Sequence, residues 1–520
     1  MTESQECDDQ MLIEDDGLRC VVKMEPETRE ISKRIILLIA CLSALCDCLL
    51  LSVIVPIIPV YLDVTEIPTT RPQIAANSTS NKTFATVSPP TVIDSSMDLK
   101  IGALFASKAF VQIMVNPAAG HLTERVGYSI PLYSGFCVLF VSTLVYGFAS
   151  GYWLLFVARA IQGLGSSFVL ISSLAMLAAA HPDDNERGTA IGIAMGVTGL
   201  GVLAGPPFGG LFYSIGGKGL PFFILAGFIF LTFVLVAISR KPVMPKDTVK
   251  PTLKDLLSDP YILIASGAVC FCNMSFALLE PTLPIWLLET MDAKKWQIGL
   301  IFLPSTGAYL IATPLLGKLG NIIGRWLASL IGLVLVAVSL FVVPVARTLA
   351  VLVAPLFALG FCIGMVDASM AATLAYLVDI RHASVYGAVF AIEDFAASVG
   401  FAFGPLLGGV IVSEGSFQWL LRGLAILNLF FAPLLVFLRN PPAKHQLLQN
   451  EDTEGRIDRH VTIVVFIVSQ MSFEITRQRL PCGVLRYFEP IIENLPYLER
   501  SLETKTKKCN GRGISKDGSG

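Results

Sequence analysis

The sequence predicts an all-α membrane protein, with twelve transmembrane helices in two homologous six-helix halves. Three observations carry this. Charged residues make up 15% and hydrophobic residues 54% of the 520, whereas a soluble domain carries about 25% charged residues. Apolar runs of the length that crosses a hydrocarbon core, about 20 residues, recur along the chain. The pattern Gly201-xxx-Gly205-Pro206-xx-Gly209-Gly210 returns 199 residues later as Gly400-xxx-Gly404-Pro405-xx-Gly408-Gly409.

Further landmarks share that offset. Gly188 and Gly387 are also 199 apart, each near the start of the span that carries the Gly-Pro pattern. Gly120-HLTERV-Gly127 and Gly317-KLGNII-Gly324 have the same glycine spacing and lie 197 apart. Matched landmarks at nearly one offset indicate an internal duplication.

In chain order, residues 1–34 are polar and of mixed charge, a cytosolic tail in which no cleavable leader is expected. Lys33 and Arg34 precede the first apolar run, 35–62, and favour a cytosolic N-terminus. Residues 63–98 are rich in Ser, Thr and Pro and contain two sequons, at Asn77 and Asn81, which place this loop on the luminal or extracellular side. Spans follow near 101–119, 130–149, 153–177, 189–213 and 220–239, completing an N-terminal half over 35–239. A basic linker, 240–260, belongs in the cytosol. The C-terminal half, 261–438, has spans near 261–288, 298–320, 327–347, 350–377, 384–412 and 417–438, which returns the tail 439–520 to the cytosol.

Asp47, Lys108, Glu280, Asp367 and Asp394 all fall within apolar runs, with Glu393 beside Asp394. An ionised side chain at the centre of a membrane costs roughly 2.5–3.5 kcal/mol on insertion scales, so such residues usually serve a function. Lys108 needs a counter-ion, and Asp394 or Asp47 could serve. Carboxylates in a cavity bind protons or an organic ammonium, and competition between those two cations is the physical basis of antiport. Trp286, Phe302, Tyr309 and Phe390 lie near these charges in sequence and offer faces to an ammonium group, while Asn273 lies two helical turns before Glu280. Each aromatic taken singly also fits plain helix packing. The five His form no metal-ligand cluster and the net charge of −2 leaves no nucleic-acid footprint. The chain contains no GxxxxGK[ST] loop, so neither an ATP site nor any cofactor is expected.

The duplicated Gly-Pro spans resemble the major facilitator superfamily, whose proton-antiporter branch carries this signature in the fifth span. Gly120, Glu124, Arg125 and Gly127 resemble the family's loop between spans two and three, although Tyr128 and Ser129 stand where basic residues usually follow. The stretches LFASKAFVQIMVNP, DDNERG, CIGMVDASM, LVDIRHASVYGAVFAIEDFA and RNPPAK resemble the vesicular monoamine transporters, over about residues 35–445. That resemblance implies a non-enzymatic, proton-driven antiporter that loads cationic monoamines such as serotonin and dopamine from the cytosol into acidic secretory or synaptic vesicles. It implies amine recognition by Asp47 with Asn273, Glu280 and Tyr309, an ion pair of Lys108 with Asp394, proton coupling through Asp367, and gating by Arg187 and His382. The partners would be a small amine, protons, membrane lipid and, through Leu447-Leu448, vesicle sorting machinery.

A vesicular acetylcholine transporter and a plasma-membrane proton/drug antiporter are the alternatives of the same fold, and a non-transporting receptor or scaffold is the alternative of another class. The chain departs from the monoamine pattern at several points. Cys48 follows Asp47 where Asn is usual, Phe390 replaces a common Tyr, and Glu393 adds a carboxylate. The family's luminal disulfide is not expected, because 63–98 contains no Cys and Asp292 stands at the other position. Residues after about 455 are atypical of the family tail, and HVTIVVFIV is too short to span.

Overall fold

A computed structural model describes residues 26–54, 57, 95–238, 253–291, 297, 300–382, 385–414 and 417–442. Asn77, Asn81, residues 63–94 of the predicted loop, Asp292, Leu447-Leu448 and the atypical tail lie outside the described residues, whereas 95–98, predicted as loop, begin a helix.

Among the described residues there are twelve long helices and no strand. The first half contains α1 (Pro26–Ser52), α2 (Ser95–Val126), α3 (Ser129–Phe148), α4 (Tyr152–Ala180), α5 (Asp184–Gly216) and α6 (Gly219–Ile238). A short helical turn, Leu253–Leu257, precedes the second half. That half contains α7 (Pro260–Met291), α8 (Leu303–Ile323), α9 (Arg325–Val342), α10 (Leu349–Arg381), α11 (Tyr386–Glu414) and α12 (Phe417–Phe431), the last continuing as a 3₁₀ helix, Ala432–Arg439. Ten of these helices are long and apolar enough to cross a membrane. The other two, α2 and α8, hold the same place in their respective halves. Both pack across the molecule, α2 on α11 and α8 on α5, and a helix on an internal seam need not present lipid-compatible residues all round.

The packing repeats as the sequence does. Within the halves α1 packs on α5 as α7 does on α11, α2 on α4 as α8 does on α10, and α3 on α6 as α9 does on α12. The Gly-Pro patterns supply the close contacts. A Cβ at Gly201 would lie 2.7 Å from the Cβ of Cys48 on α1, and one at Gly400 would lie 2.8 Å from the Cys270 carbonyl oxygen on α7. Small residues let helix backbones approach this closely without the hydrophobic effect to drive them. The second glycine of each seven-residue landmark turns the chain with positive φ, 84° at Gly127 and 98° at Gly324, a conformation that costs a Cβ-bearing residue. Duplication of the sequence is thus duplication of two backbone requirements, a close approach and a left-handed turn.

Several helices outrun their predicted spans. Both α5 and α10 are 33 residues long, which is about 50 Å at 1.5 Å per residue against a hydrocarbon core of about 30 Å. Their ends carry charges into water. The start of α5 is capped by Asp183, whose side chain accepts from the Glu186 backbone N–H at 2.9 Å, an Asp-x-x-Glu arrangement that satisfies an otherwise orphaned donor.

Candidate functional site

A cavity of about 290 Å³ lies between the halves, walled by α1, α2, α4 and α5 from one and by α7, α8, α10 and α11 from the other. Small-molecule sites are commonly about 300–1,000 Å³, so this one has room for a single small organic molecule. Most of its wall is apolar, set with a few charged and polar groups.

Eight of the sequence-predicted residues line it: Asp47, Lys108, Asn273, Glu280, Tyr309, Asp367, Phe390 and Asp394. They arrive from six helices, which is why no contiguous motif displays them. Asp47 and Lys108 are both buried, and Lys108 Nζ donates to Asp47 Oδ1 at 2.9 Å and to Oδ2 at 2.8 Å. The Ser166 hydroxyl also donates to Asp47. The expected pairing of Lys108 with Asp394 is therefore corrected: both Asp47 oxygens hold the ammonium, within one half. Asp394 instead accepts from Asn116 Nδ2 at 2.8 Å and Gln112 Nε2 at 3.4 Å, two neutral donors reaching it from α2 across the seam. Asp367 is placed similarly, accepting from Asn273 Nδ2 at 2.9 Å and from the Tyr309 hydroxyl at 3.4 Å. Asn273 thus serves a carboxylate on α10 rather than acting with Glu280. Glu280 is exposed to the cavity. Phe390 is buried and contributes to the wall.

Two aromatics fall outside the cavity wall, against the expectation that they bind substrate. Trp286 is buried and stacks on Phe417, with centroids 4.8 Å apart and planes at 19°, so its face is already covered. Phe302 meets the ring of Phe276 edge-on at 6.2 Å, and Phe276 rather than Phe302 reaches the cavity. Nearness in sequence to a charge does not determine which side of a helix faces inward.

On the molecular face that bears the N-terminus of α1, the halves are locked together. Arg187 on α5 pairs with Asp379 of α10 at 2.5 Å and donates to the Tyr386 hydroxyl at 3.2 Å. Arg325 on α9 pairs with Asp184 at 2.9 Å. Glu124, at the end of α2, accepts from the Gly387 backbone N–H at 2.6 Å. Below these bonds the helices touch backbone to backbone, a Cβ at Gly192 standing 2.7 Å from the Thr313 carbonyl oxygen. Arg187 therefore bridges the two halves. His382 is not at the seam: its Nε2 lies 2.7 Å from Asp259 Oδ2, and Arg381 Nε lies 2.5 Å from the same oxygen. That clasp ties the end of α10 to the start of α7 within the second half. Burial pushes the Asp259 carboxyl up, but bonds from His382 and Arg381, the Arg381 charge and the Tyr261 backbone N–H outweigh it and hold the group below the ordinary Asp value.

The sequence reading missed Arg159. It is fully buried on α4, donates to Gln162 at 2.5 Å and to the Leu50 carbonyl at 3.3 Å, and lies within electrostatic reach of Asp47 and Glu280. The signal was present, since it is a cation inside the predicted span 153–177. Gln112, Asn116 and Ser166 carried none, because neutral polar residues are ordinary in helices that pack on others.

Twelve helices in two halves around a central charged cavity are the architecture of a membrane transporter. A family model described as Major Facilitator Superfamily matches residues 40–400 and 368–488, and the chain belongs to that family. Among proteins of known description, the chain is 43% identical over 464 residues to the synaptic vesicular amine transporter of Mus musculus, covering 80% of this chain and 90% of that one. To the vesicular acetylcholine transporter of Rattus norvegicus it is 38% identical over 464 residues, covering 82% and 88%. The crystal structure of the human organic anion transporter MFSD10 (TETRAN) superposes with a TM-score of 0.62 at 16% identity, covering 79% of this chain and 100% of that one, a likeness of fold.

Proposed function

We propose that the chain is a proton-coupled antiporter that loads protonated monoamines, serotonin and dopamine among them, from the cytosol into acidic vesicles. The observation that carries this reading is the cavity itself. Five acidic side chains, Asp47, Glu280, Asp367, Glu393 and Asp394, face a space sized for one small molecule, with Lys108 as the cation in its wall. Such a site attracts a small organic cation and repels anions. The 43% identity to a synaptic vesicular amine transporter supports amines as the substrate class, above the acetylcholine reading at 38%.

In this reading the locked face is cytosolic and both termini lie in the cytosol, so the structure is a state closed to the cytosol. Asp47 is occupied by Lys108 in that state, which fits release: an ammonium that has left Asp47 is replaced there by the protein's own. Protons from the vesicle interior neutralise Asp367 and Asp394, whose partners are neutral donors that a protonated acid can keep. Loss of those charges lets the halves rock back, and direction follows the proton gradient without a cofactor.

The experiment is uptake of radiolabelled serotonin, dopamine and acetylcholine into acidified vesicles bearing the chain, with and without a protonophore. Gradient-dependent uptake of an aromatic amine, lost in Asp47→Asn, is the expected result. Uptake of acetylcholine alone would overturn the monoamine reading, and uptake that ignores the protonophore would overturn proton coupling.

A further inference from the structure

We propose that Glu393 forms a second ammonium-binding subsite, so that the cavity accepts amines carrying two positive charges. The proposal deepens the amine-antiport reading and rests on it. Along α11 the cavity is lined by Phe390, Glu393, Asp394, Ala397, Ser398 and Phe401, a helical stripe that turns both adjacent acids inward. Asp394 is satisfied by Asn116 and Gln112. Glu393 is 95% buried (relative exposure 5%), and its Oε2 is fully enclosed with no hydrogen-bond partner.

Neither a structural ion pair nor a neutral acid accounts for this side chain. The charged groups that act on it are Asp367 and Asp394, both acids, and Lys108 is committed to both oxygens of Asp47. A protonated Glu393 would remain a buried acid with a bare oxygen, which costs free energy unless something binds there. The wall holds five acids against Lys108, so a singly charged amine leaves three acids without a cation. A second ammonium group meets a buried acid whose Oε2 has no hydrogen-bond partner. An amine with two cationic centres separated by a short apolar chain matches both the charge of the wall and its apolar remainder.

The test is ligand-induced thermal stabilisation of the purified full-length chain, titrated with pentylamine and with 1,5-diaminopentane at pH 7.4. In the unmodified chain the diamine is expected to act at roughly tenfold lower concentration, about 1.4 kcal/mol of added affinity. Glu393→Gln should abolish that advantage, weakening the diamine more than pentylamine, which still binds. Glu393→Asp, which keeps the charge, should retain part of it. Equal titrations of the two amines in the unmodified chain would overturn the proposal, as would a diamine advantage that survives Glu393→Gln, or a loss of pentylamine binding in that variant. Where pentylamine binds and serotonin is taken up but the diamine has no advantage, this subsite alone fails. Where no amine binds, the antiport reading fails with it.

Discussion

At the scale of single residues, the central fact is that the buried Asp47 and Lys108 complete each other. Removing one partner of a buried pair leaves the other uncompensated, at about 3–5 kcal/mol, whereas replacing both by apolar groups of similar volume is often neutral. Asp47→Asn should therefore lower the melting temperature of the purified protein markedly. The double change Asp47→Leu with Lys108→Met should recover most of that loss while uptake stays absent. A double change no more stable than the single would contradict the pairing, and a calorimetric or fluorescence melt reads it directly. The sequence displayed both charges and both candidate partners for Lys108. It did not decide between them, because the choice depends on Asn116 and Gln112 satisfying Asp394 from another helix, and neutral side chains in an apolar run carry no warning of such a role. Trp286 and Phe302 show the converse: an aromatic near a charge in sequence turns away when a ring on a neighbouring helix covers it.

At the scale of elements, the helices were legible and their contacts only partly so. The Gly-Pro duplication told which helices repeat, whereas the left-handed turns at Gly127 and Gly324 appear only in the structure. The seam between α5 and α8 was not visible, since Gly317 belongs to a landmark paired with Gly120 and nothing in the sequence joins it to Gly192 on α5. A valine at Gly192 would drive its Cβ into the Thr313 carbonyl, and overpacking of this kind costs about 1–3 kcal/mol in a site that cannot yield. The clash exists only while the two halves touch, so Gly192→Val should fold, lose most uptake and favour the state open at this face. Labelling of Cys48, which lines the cavity, by an impermeant thiol reagent applied from that face should accelerate, with Cys48→Ala as the control. The Asp259 clasp is a second element-scale device. Its depressed acid contributes stability above the unfolded Asp value of about 3.9, lost as pH falls through the lower folded value. Asp259→Asn should therefore lose stability at neutral pH, and the gap from the unmodified protein should narrow in melts taken below about pH 4.

At the scale of the whole molecule, the two halves meet through seams that the internal repeat relates but that are chemically unlike. Between α2 and α11 the bridges include Glu124 on the Gly387 backbone N–H and the amides of Asn116 and Gln112 on Asp394, whereas α5 meets the second half through the ion pairs of Arg187 and Asp184. Reversing one charge, Arg187→Asp, should abolish uptake, and adding Asp379→Arg should restore part of it if that pair closes the gate. Failure of the second change to restore any uptake would place the role of Arg187 elsewhere. The length of α5 and α10 adds a consequence of a different kind. Because those helices overshoot the bilayer, Asp184 and Asp379 stand where dissolved ions reach them, while Asp47 and Lys108 are buried. Dissolved salt shields charges over about 8–10 Å at physiological strength, and buried pairs hardly at all. The molecule therefore has two electrical regimes along one axis: a latch tuned by the electrolyte of the compartment it faces, and a load chamber indifferent to it.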